Sequence, residues 1–233
     1  DFSGYCDMAV GISRMLNLEL PQNFNSPYKA LSPVDFWKRW HMTLTRFLRN
    51  YIYFPLGGSR KGTVRTYVNV MLVFLASGLW HGANWTFILW GLIHGAAQCL
   101  NRMFDRQWNR LHTAFRWMAT FLFVNLSWVI FRADSISQAK QFFKRLVGFE
   151  NMQINPGFAD SFKMVELPQV FLNHRLMTIF LIYGIALHLV MNTRNMAEAG
   201  LKPTVLRGAG TAVLLVWSVI SLAGISTFIY FQF

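Results

Sequence analysis

The sequence predicts an all-α fold, that of a polytopic helical membrane protein with re-entrant and interfacial amphipathic helices. The chain is 54% hydrophobic and only 14% charged, against roughly 25% charged residues in ordinary soluble domains. Between Arg65 and Arg102 it has 36 residues without a charged side chain, whereas one bilayer span needs about 20. No alternation of polar and apolar residues persists long enough to predict a barrel. Helices are therefore the structure that would satisfy the backbone in lipid.

The charge of the chain is strongly positive, at +12. Such a balance can indicate nucleic-acid binding, but here the basic residues lie between apolar segments, as in cytoplasmic loops that face anionic lipid headgroups. The 9 Trp and 22 Phe residues fit aromatic belts at membrane interfaces. We therefore expect the lipid bilayer, and no nucleic acid, as the partner of the basic side chains.

The first segment, Asp1 to Leu18, has apolar residues at helical spacing but also contains Asp7 and Arg14. This pattern predicts a helix packed inside a bundle rather than one that faces lipid. A loop is expected to follow as far as Leu31. Because the chain starts with Asp and enters the apolar pattern directly, we expect it to be the C-terminal part of a longer protein.

The second segment begins with a helix-start signal, because Ser32 precedes Pro33 and is followed by Asp35 three residues later. We expect this helix to continue to about Asn50 and to end in a turn at Gly57. One apolar face and one basic face are typical of an interfacial or re-entrant helix on the cytoplasmic side. The apolar face comprises Trp37, Trp40, His41, Leu44, Leu48 and Tyr51, and the basic face comprises Arg39, Arg46 and Arg49.

The rest of the chain alternates uncharged runs with basic connectors. Residues 67–100 account for one span and part of a second or a re-entrant piece. Ser135 and Gln138 form a capping box that opens an amphipathic helix to about Leu146, which we expect on a membrane surface. Together with the long stretch, three further runs predict roughly four or five spans: 117–131, 176–193 and 208–233.

Two histidines lie in the longest uncharged stretch, where an ionisable side chain is costly and is therefore a candidate for function. His81 precedes Gly82, which lets a backbone or ligand approach closely. A neutral imidazole that faces a water-filled cavity could deprotonate a hydroxyl that attacks an acyl donor; the alternative is a histidine hydrogen-bonded between helices. His94 follows 13 residues later, about 220° away on one continuous helix. We therefore favour a structural role for His94 and expect no metal site.

Further candidates would bind the substrate. His41 lies on the aromatic face with Trp40, and this face could line a channel for an anionic acyl donor; the alternative is an interfacial histidine at headgroup level. Arg46 and Arg49 could bind phosphates of the acyl donor or of lipid. Two more substrate-binding candidates lie next to His81: Trp80 and Asn84.

Five stretches of the chain together resemble the membrane-bound O-acyltransferase family. They are DFSGYCDMAVG, FWKRWHMTLTRFLRNYIYFPLGG, SGLWHGANWTFILWGLIHG, IFRADSISQA and FIYFQF. From this resemblance we expect residues 1–233 to correspond to the C-terminal part of a single membrane domain of this family. The N-terminal spans of that domain would be missing from the chain. Among bacterial members, the chain looks similar to those that O-acetylate alginate and peptidoglycan.

The resemblance implies a multi-pass protein of the bacterial inner membrane that moves an acyl group from a cytoplasmic thioester toward hydroxyls of an envelope polysaccharide. Acetyl-CoA or an acyl-carrier thioester would be the acyl donor, no cofactor would be bound, and a periplasmic acetyltransferase would be the partner protein. His81, in SGLWHG, corresponds to the family's essential catalytic histidine and would act as the base. His41 matches the family's second histidine, and Asn84 could stabilise the developing oxyanion.

Two other functions stay open at this point. The chain could be a non-catalytic transporter or scaffold subunit of an envelope-modification complex, in which the histidines relay protons or only pack. It could also be a lysophospholipid acyltransferase, which would change membrane lipids and leave polysaccharide unaltered. Loss of acyl transfer on replacement of His81 would separate an enzyme from a scaffold.

Overall fold

The structure is a computed structural model that describes residues 2–148, 175–193 and 204–221, and every regular element in these ranges is helical. A 3-10 turn, Pro27–Lys29, precedes α2, and a π-helical turn, Arg49–Tyr53, follows α3. The α-helices of the described ranges are α1 (Phe2–Met15), α2 (Pro33–Arg39), α3 (Met42–Leu48), α4 (Thr63–His81), α5 (Trp85–Met103), α6 (Asp105–Arg110), α7 (Thr113–Arg132), α8 (Ile136–Gly148), α9 (Arg175–Asn192) and α10 (Val205–Ser221).

Helix α1 forms where the apolar period predicts it, but its apolar side chains are not covered. Met8 and Ile12 are each 61% exposed and Met15 is 86% exposed. None of the elements among the described residues covers this face, so the expectation of a helix packed inside a bundle stays a prediction. Helical spacing reports which residues share a face, but it does not report what packs against that face.

The helix after Ser32 begins as predicted and ends early. The amide of Asp35 donates to Ser32 Oγ at 3.0 Å, but α2 stops at Arg39, so the predicted continuous helix to Asn50 is wrong. His41 has φ 44° and ψ 54°, the left-handed conformation, which interrupts an α-helix. The reason is tertiary: Asn23 O accepts from the amide of Met42 at 3.0 Å, and Arg39 O accepts from a neighbouring loop amide at 2.9 Å.

The break redistributes the predicted apolar face. Leu44 and Leu48 on α3 are buried, as the spacing predicts, whereas Tyr51 in the π-helical turn is 70% exposed. The chain then reverses at Gly57 and Gly58, both of which have positive φ. The predicted turn is confirmed, and it leads directly into α4.

The long uncharged stretch folds as an antiparallel hairpin of α4 and α5. Two glycines allow the helices to meet backbone to backbone: a Cβ on Gly78 would lie 2.4 Å from Phe87 O, and one on Gly91 would lie 2.4 Å from Phe74 O. Because the helix breaks after His81, the angular argument from one continuous helix does not apply to this stretch.

Helices α2 and α7 pack against this hairpin around an aromatic core. The buried and partly buried rings of the core include Phe36, Trp37, Phe74, Trp90 and Trp128. At the end of α7 the predicted capping box of α8 is confirmed, since the amide of Gln138 donates to Ser135 Oγ at 3.2 Å. Helix α8 therefore begins beside the tip of the hairpin.

Two helices of the described residues are long and apolar enough to cross a membrane, Thr63–His81 and Thr113–Arg132. The predicted run 176–193 coincides with α9, and the run 208–233 overlaps α10 as far as Ser221. The remainder of that last run lies outside the described residues, as does the stretch from Asn151 to Pro168, where the sequence predicts a loop.

Candidate active site

The tip of the α4–α5 hairpin positions His81. This histidine is the last residue of α4, and Gly82 turns the chain with φ 156°, where a Cβ would lie 2.9 Å from the Phe87 ring. Asn84 then caps α5, its Oδ1 accepting from the amide of Thr86 at 3.2 Å. The imidazole therefore lies at a fixed corner between two helices that are in backbone contact.

Aromatic rings surround His81. Its ring centroid lies 4.8 Å from that of Trp80, 5.5 Å from Trp90 and 4.9 Å from Phe131, with near-perpendicular planes for the last two. Neither ring nitrogen has a hydrogen-bond partner among the described residues. An imidazole held by packing alone keeps both nitrogens available to a substrate.

His41 lies one aromatic ring away from His81. Its ring centroid is 6.1 Å from that of Trp80, so the indole of Trp80 contacts both histidines, and 56% of Trp80 is exposed. Burial lowers the pKa of His41 to about 4, so the ring is neutral near pH 7. The structure thus brings together the two histidines that the sequence singled out.

His94 occupies a different environment, because it is completely buried. Its Nδ1 accepts from Trp37 Nε1 at 3.0 Å, and its Nε2 lies 2.9 Å from Ser127 Oγ. Both nitrogens are therefore used by the protein, which supports the structural role expected for His94. The described residues contain no group of three His, Cys, Asp or Glu side chains that could hold a metal ion.

The predicted substrate-binding residues divide into two groups. Trp80 lies at the site, whereas Trp40 stacks on Phe36 at 5.6 Å and packs against Trp128, as part of the core. Asn84 donates its amide to Asp134 O at 3.0 Å, so its side chain is engaged at both ends. One of the two amide hydrogens of Asn84 is used in this bond, so a role as oxyanion donor stays a prediction that depends on the other hydrogen.

Sequence reasoning missed a cavity of about 240 Å³ on the side of α4 that holds Ser77, one turn before His81. Ser77 is buried, and its hydroxyl has no partner among the described residues. Arg49 lines this cavity and Arg46 does not. Aliphatic and aromatic side chains form much of the wall. Three cations and four polar side chains complete it: Lys38, Arg49, Arg102, Thr45, Tyr53, Ser77 and Gln98.

One sequence signal could have indicated this cavity. Ser77 precedes His81 by four residues, so the two share one face of α4 about 6 Å apart along the axis. The cations, however, come from three separate elements, since Lys38 is on α2, Arg49 follows α3 and Arg102 is on α5. Their convergence depends on the tertiary fold.

Comparison with known proteins identifies the family of this chain. The sequence model of the membrane-bound O-acyltransferase family matches residues 1–137. The chain belongs to this family. The match contains His41, His81 and His94, together with all the elements that form the aromatic surroundings of the site.

Relatives in the family modify envelope polymers. The chain is 50% identical over 158 residues to the peptidoglycan O-acetyltransferase of Helicobacter pylori, covering 66% of this chain and 30% of that protein. It is 42% identical over 156 residues to the probable alginate O-acetylase AlgI of Pseudomonas putida, with 66% and 32% covered. It is 32% identical over 147 residues to the teichoic acid D-alanyltransferase of Bacillus subtilis, with 56% and 37% covered. The alignments thus span about a third of the length of these relatives.

Proposed function

We propose that this chain is the part of a multi-pass inner-membrane O-acyltransferase that carries its catalytic base, His81. The reaction is transfer of an acetyl or related acyl group from a cytoplasmic thioester toward hydroxyls of an envelope polysaccharide of the alginate or peptidoglycan type. The observation that carries the proposal is the imidazole of His81, which is enclosed by aromatic rings and has no hydrogen bond to the described residues from either nitrogen.

The charge distribution supports a cytoplasmic acyl donor. The two outer ends of the α4–α5 hairpin carry basic residues, and the tip that holds His81 carries none between Arg65 and Arg102. Basic loops are retained on the cytoplasmic side of a membrane. In this orientation Arg102, near the outer end of α5, lies toward the cytoplasm. Arg102 lines the cavity beside Ser77 together with Lys38 and Arg49, and these three cations could bind phosphates of a nucleotide- or carrier-linked thioester.

The chemistry assigned to His81 is general base catalysis. A neutral imidazole can accept a proton at its unprotonated ring nitrogen and return it later, which is what a general base does. His81 takes the proton of the attacking hydroxyl, the hydroxyl oxygen bonds to the thioester carbonyl carbon, and the carbon–sulfur bond then breaks. The proton held by His81 passes to the departing thiolate, so the products are an ester and a thiol.

The acceptor hydroxyl in this proposal belongs either to the polysaccharide or to a periplasmic acetyltransferase that passes the group on. Trp80 is the binding residue at the site, since it is partly exposed and contacts both His41 and His81. His41, neutral at pH 7, acts beside it on the acyl-donor side. No bound cofactor is required by these steps.

The test measures ester-linked acetate on envelope polysaccharide in cells that carry the full-length protein or its His81→Ala variant at matched membrane abundance. We expect acetate to fall to background in His81→Ala and to persist in His188→Ala, which removes a histidine on α9. Unchanged acetate in His81→Ala would favour the non-catalytic transporter or scaffold. Altered acyl chains in membrane lipids, with unaltered polysaccharide, would favour a lysophospholipid acyltransferase.

A further inference from the structure

The loop before α2 carries an asparagine that the function proposed above does not use. Asn23 lies across the break between α2 and α3, and its Oδ1 accepts from the amide of Thr43 at 3.2 Å and from Thr43 Oγ1 at 2.9 Å. The same Oδ1 lies 3.1 Å from Nδ1 of His41. One oxygen thus contacts three groups of the segment in which His41 has left-handed backbone dihedrals.

These contacts identify the proton on His41. A backbone amide can only donate, so the Asn23 atom that faces Thr43 is the oxygen and not the nitrogen. An amide oxygen can only accept, so Nδ1 of His41 must donate and must carry a proton. The hydroxyl of Thr43 gives its own proton to Asn23 and therefore cannot supply one to Nδ1.

A neutral imidazole has a single N–H, so a proton on Nδ1 leaves the lone pair on Nε2. Burial keeps the His41 ring neutral at pH 7, with a pKa of about 4. The rings that contact His41 are those of Phe2, at 4.8 Å, and Trp80, at 6.1 Å. Among the described residues no hydrogen bond reaches Nε2 of His41, so the lone pair stays available.

We propose that Asn23 is a positioning residue that holds His41 as the Nδ1-protonated tautomer and so presents Nε2 as a proton acceptor. The consequence for acyl transfer rests on the proposed function, but the tautomer itself does not. Without Asn23 the ring would be free to carry its proton on Nε2, which would convert the acceptor into a donor. The aromatic packing of the ring against Phe2 and Trp80 would remain.

The first experiment is a ¹⁵N spectrum of the full-length protein labelled at histidine, in lipid nanodiscs near pH 7, with His41 assigned by comparison with His41→Gly. Protonated and unprotonated ring nitrogens have well-separated ¹⁵N shifts. We expect a protonated Nδ1 and an unprotonated Nε2 for His41. The reverse pattern in the unmodified protein would overturn the proposal, whatever the behaviour of any variant.

Variants of Asn23 then separate positioning from folding. Asn23→Asp keeps an acceptor oxygen and should keep the Nδ1-protonated tautomer, whereas Asn23→Leu should lose it. Thr43→Val is the matched control. It removes the hydroxyl that donates to Asn23 Oδ1 but leaves the contact between Asn23 Oδ1 and Nδ1 of His41. A Nδ1-protonated His41 in folded Asn23→Leu would overturn the role of Asn23.

Acetate on envelope polysaccharide gives the functional readout at matched membrane abundance. We expect Asn23→Leu to lower transfer about tenfold or more, because a misplaced proton removes one acid–base contribution, and Asn23→Asp to restore most of it. Equal transfer in Asn23→Leu and the unmodified protein would contradict this role for His41. If instead His81→Ala keeps acetate while the His41 tautomer is as stated, the proposed function fails and the tautomer assignment stands.

Discussion

The indole Nε1 of Trp37 donates a hydrogen bond to Nδ1 of His94 at 3.0 Å, with both rings buried. Because Nδ1 accepts this bond, the neutral imidazole carries its proton on Nε2, which donates to Ser127 Oγ at 2.9 Å. One histidine therefore joins α2, α5 and α7. This tautomer is the opposite of the one inferred for His41.

Replacement of Trp37 by Phe keeps an aromatic ring but leaves Nδ1 of His94 without its donor. A buried acceptor left unsatisfied costs about 1–3 kcal/mol, so we expect Trp37→Phe to lower the free energy of unfolding by roughly that amount. Denaturant unfolding in detergent, followed by circular dichroism, measures the change. Trp85→Phe is the control, because Trp85 is 71% exposed; an equal loss in both variants would contradict the role of the bond.

The contact between α4 and α5 is sensitive to a single methyl group. A Cβ on Gly91 would lie 2.4 Å from Phe74 O, whereas one on Gly11 in α1 would meet nothing within 4 Å. Overpacking against backbone costs about 1–3 kcal/mol or more. We therefore expect Gly91→Ala to reduce the yield of folded protein in size-exclusion chromatography and Gly11→Ala to leave it unchanged. A normal elution profile for Gly91→Ala would show that α4 and α5 can move apart without a loss of folded protein.

The left-handed backbone of His41 distinguishes two substitutions that both delete the ring. Alanine at φ 44° retains the Cβ penalty of about 1–2 kcal/mol, which glycine does not have. We expect His41→Gly to be more stable than His41→Ala by about 1 kcal/mol, measured by denaturant unfolding. Equal stability of the two variants would indicate that the backbone leaves this conformation when the ring is lost.

The lowered pKa of His41 predicts how its charge depends on pH. Burial lowers this pKa to about 4, so the neutral ring should persist as pH falls from about 7 to about 5, where an ordinary histidine with a pKa near 6.5 becomes charged. The ¹⁵N shifts of the labelled protein over this range measure it. A titration of His41 centred near pH 6.5 would mean that the ring is solvated.

The lining of the cavity beside Ser77 predicts which arginines contribute to binding of the proposed acyl donor. Arg49 and Arg102 line the cavity. Under the proposed function, in which this cavity binds the thioester donor, Arg49→Gln and Arg102→Gln should each raise the KM for acetyl-CoA about two- to fivefold, the value of one partly exposed charge contact. Arg106→Gln, on the exposed α6, serves as the control for net charge. An equal change in all three variants would indicate a long-range charge effect and not a binding site.

Local signals in the sequence were sufficient for several features of the fold. The caps at Ser32 and Ser135 and the turn at Gly57 depend on neighbouring residues alone, and all three are confirmed. The choice of His81 as a candidate followed from its position in an uncharged stretch. The aromatic rings around His81 could not be predicted from neighbouring residues, because Phe131 lies on a helix 50 residues further along the chain.

The features that sequence reasoning missed depend on distant parts of the chain. Helix α2 ends early because the loop at Asn23 supplies backbone partners to the segment around His41, which no helical period can reveal. Asn84 looked like a free amide beside His81, but Asp134 O accepts one of its two amide hydrogens. The cavity cations come from three elements that only the tertiary fold brings together.

The bond from Asn84 to Asp134 O connects the hairpin tip to the first residues before α8. It closes a ring of chain that contains α5, α6 and α7, and it links the corner that carries His81 to the start of α8. A displacement of the start of α8 would therefore either break this bond or carry with it Asn84, three residues after His81.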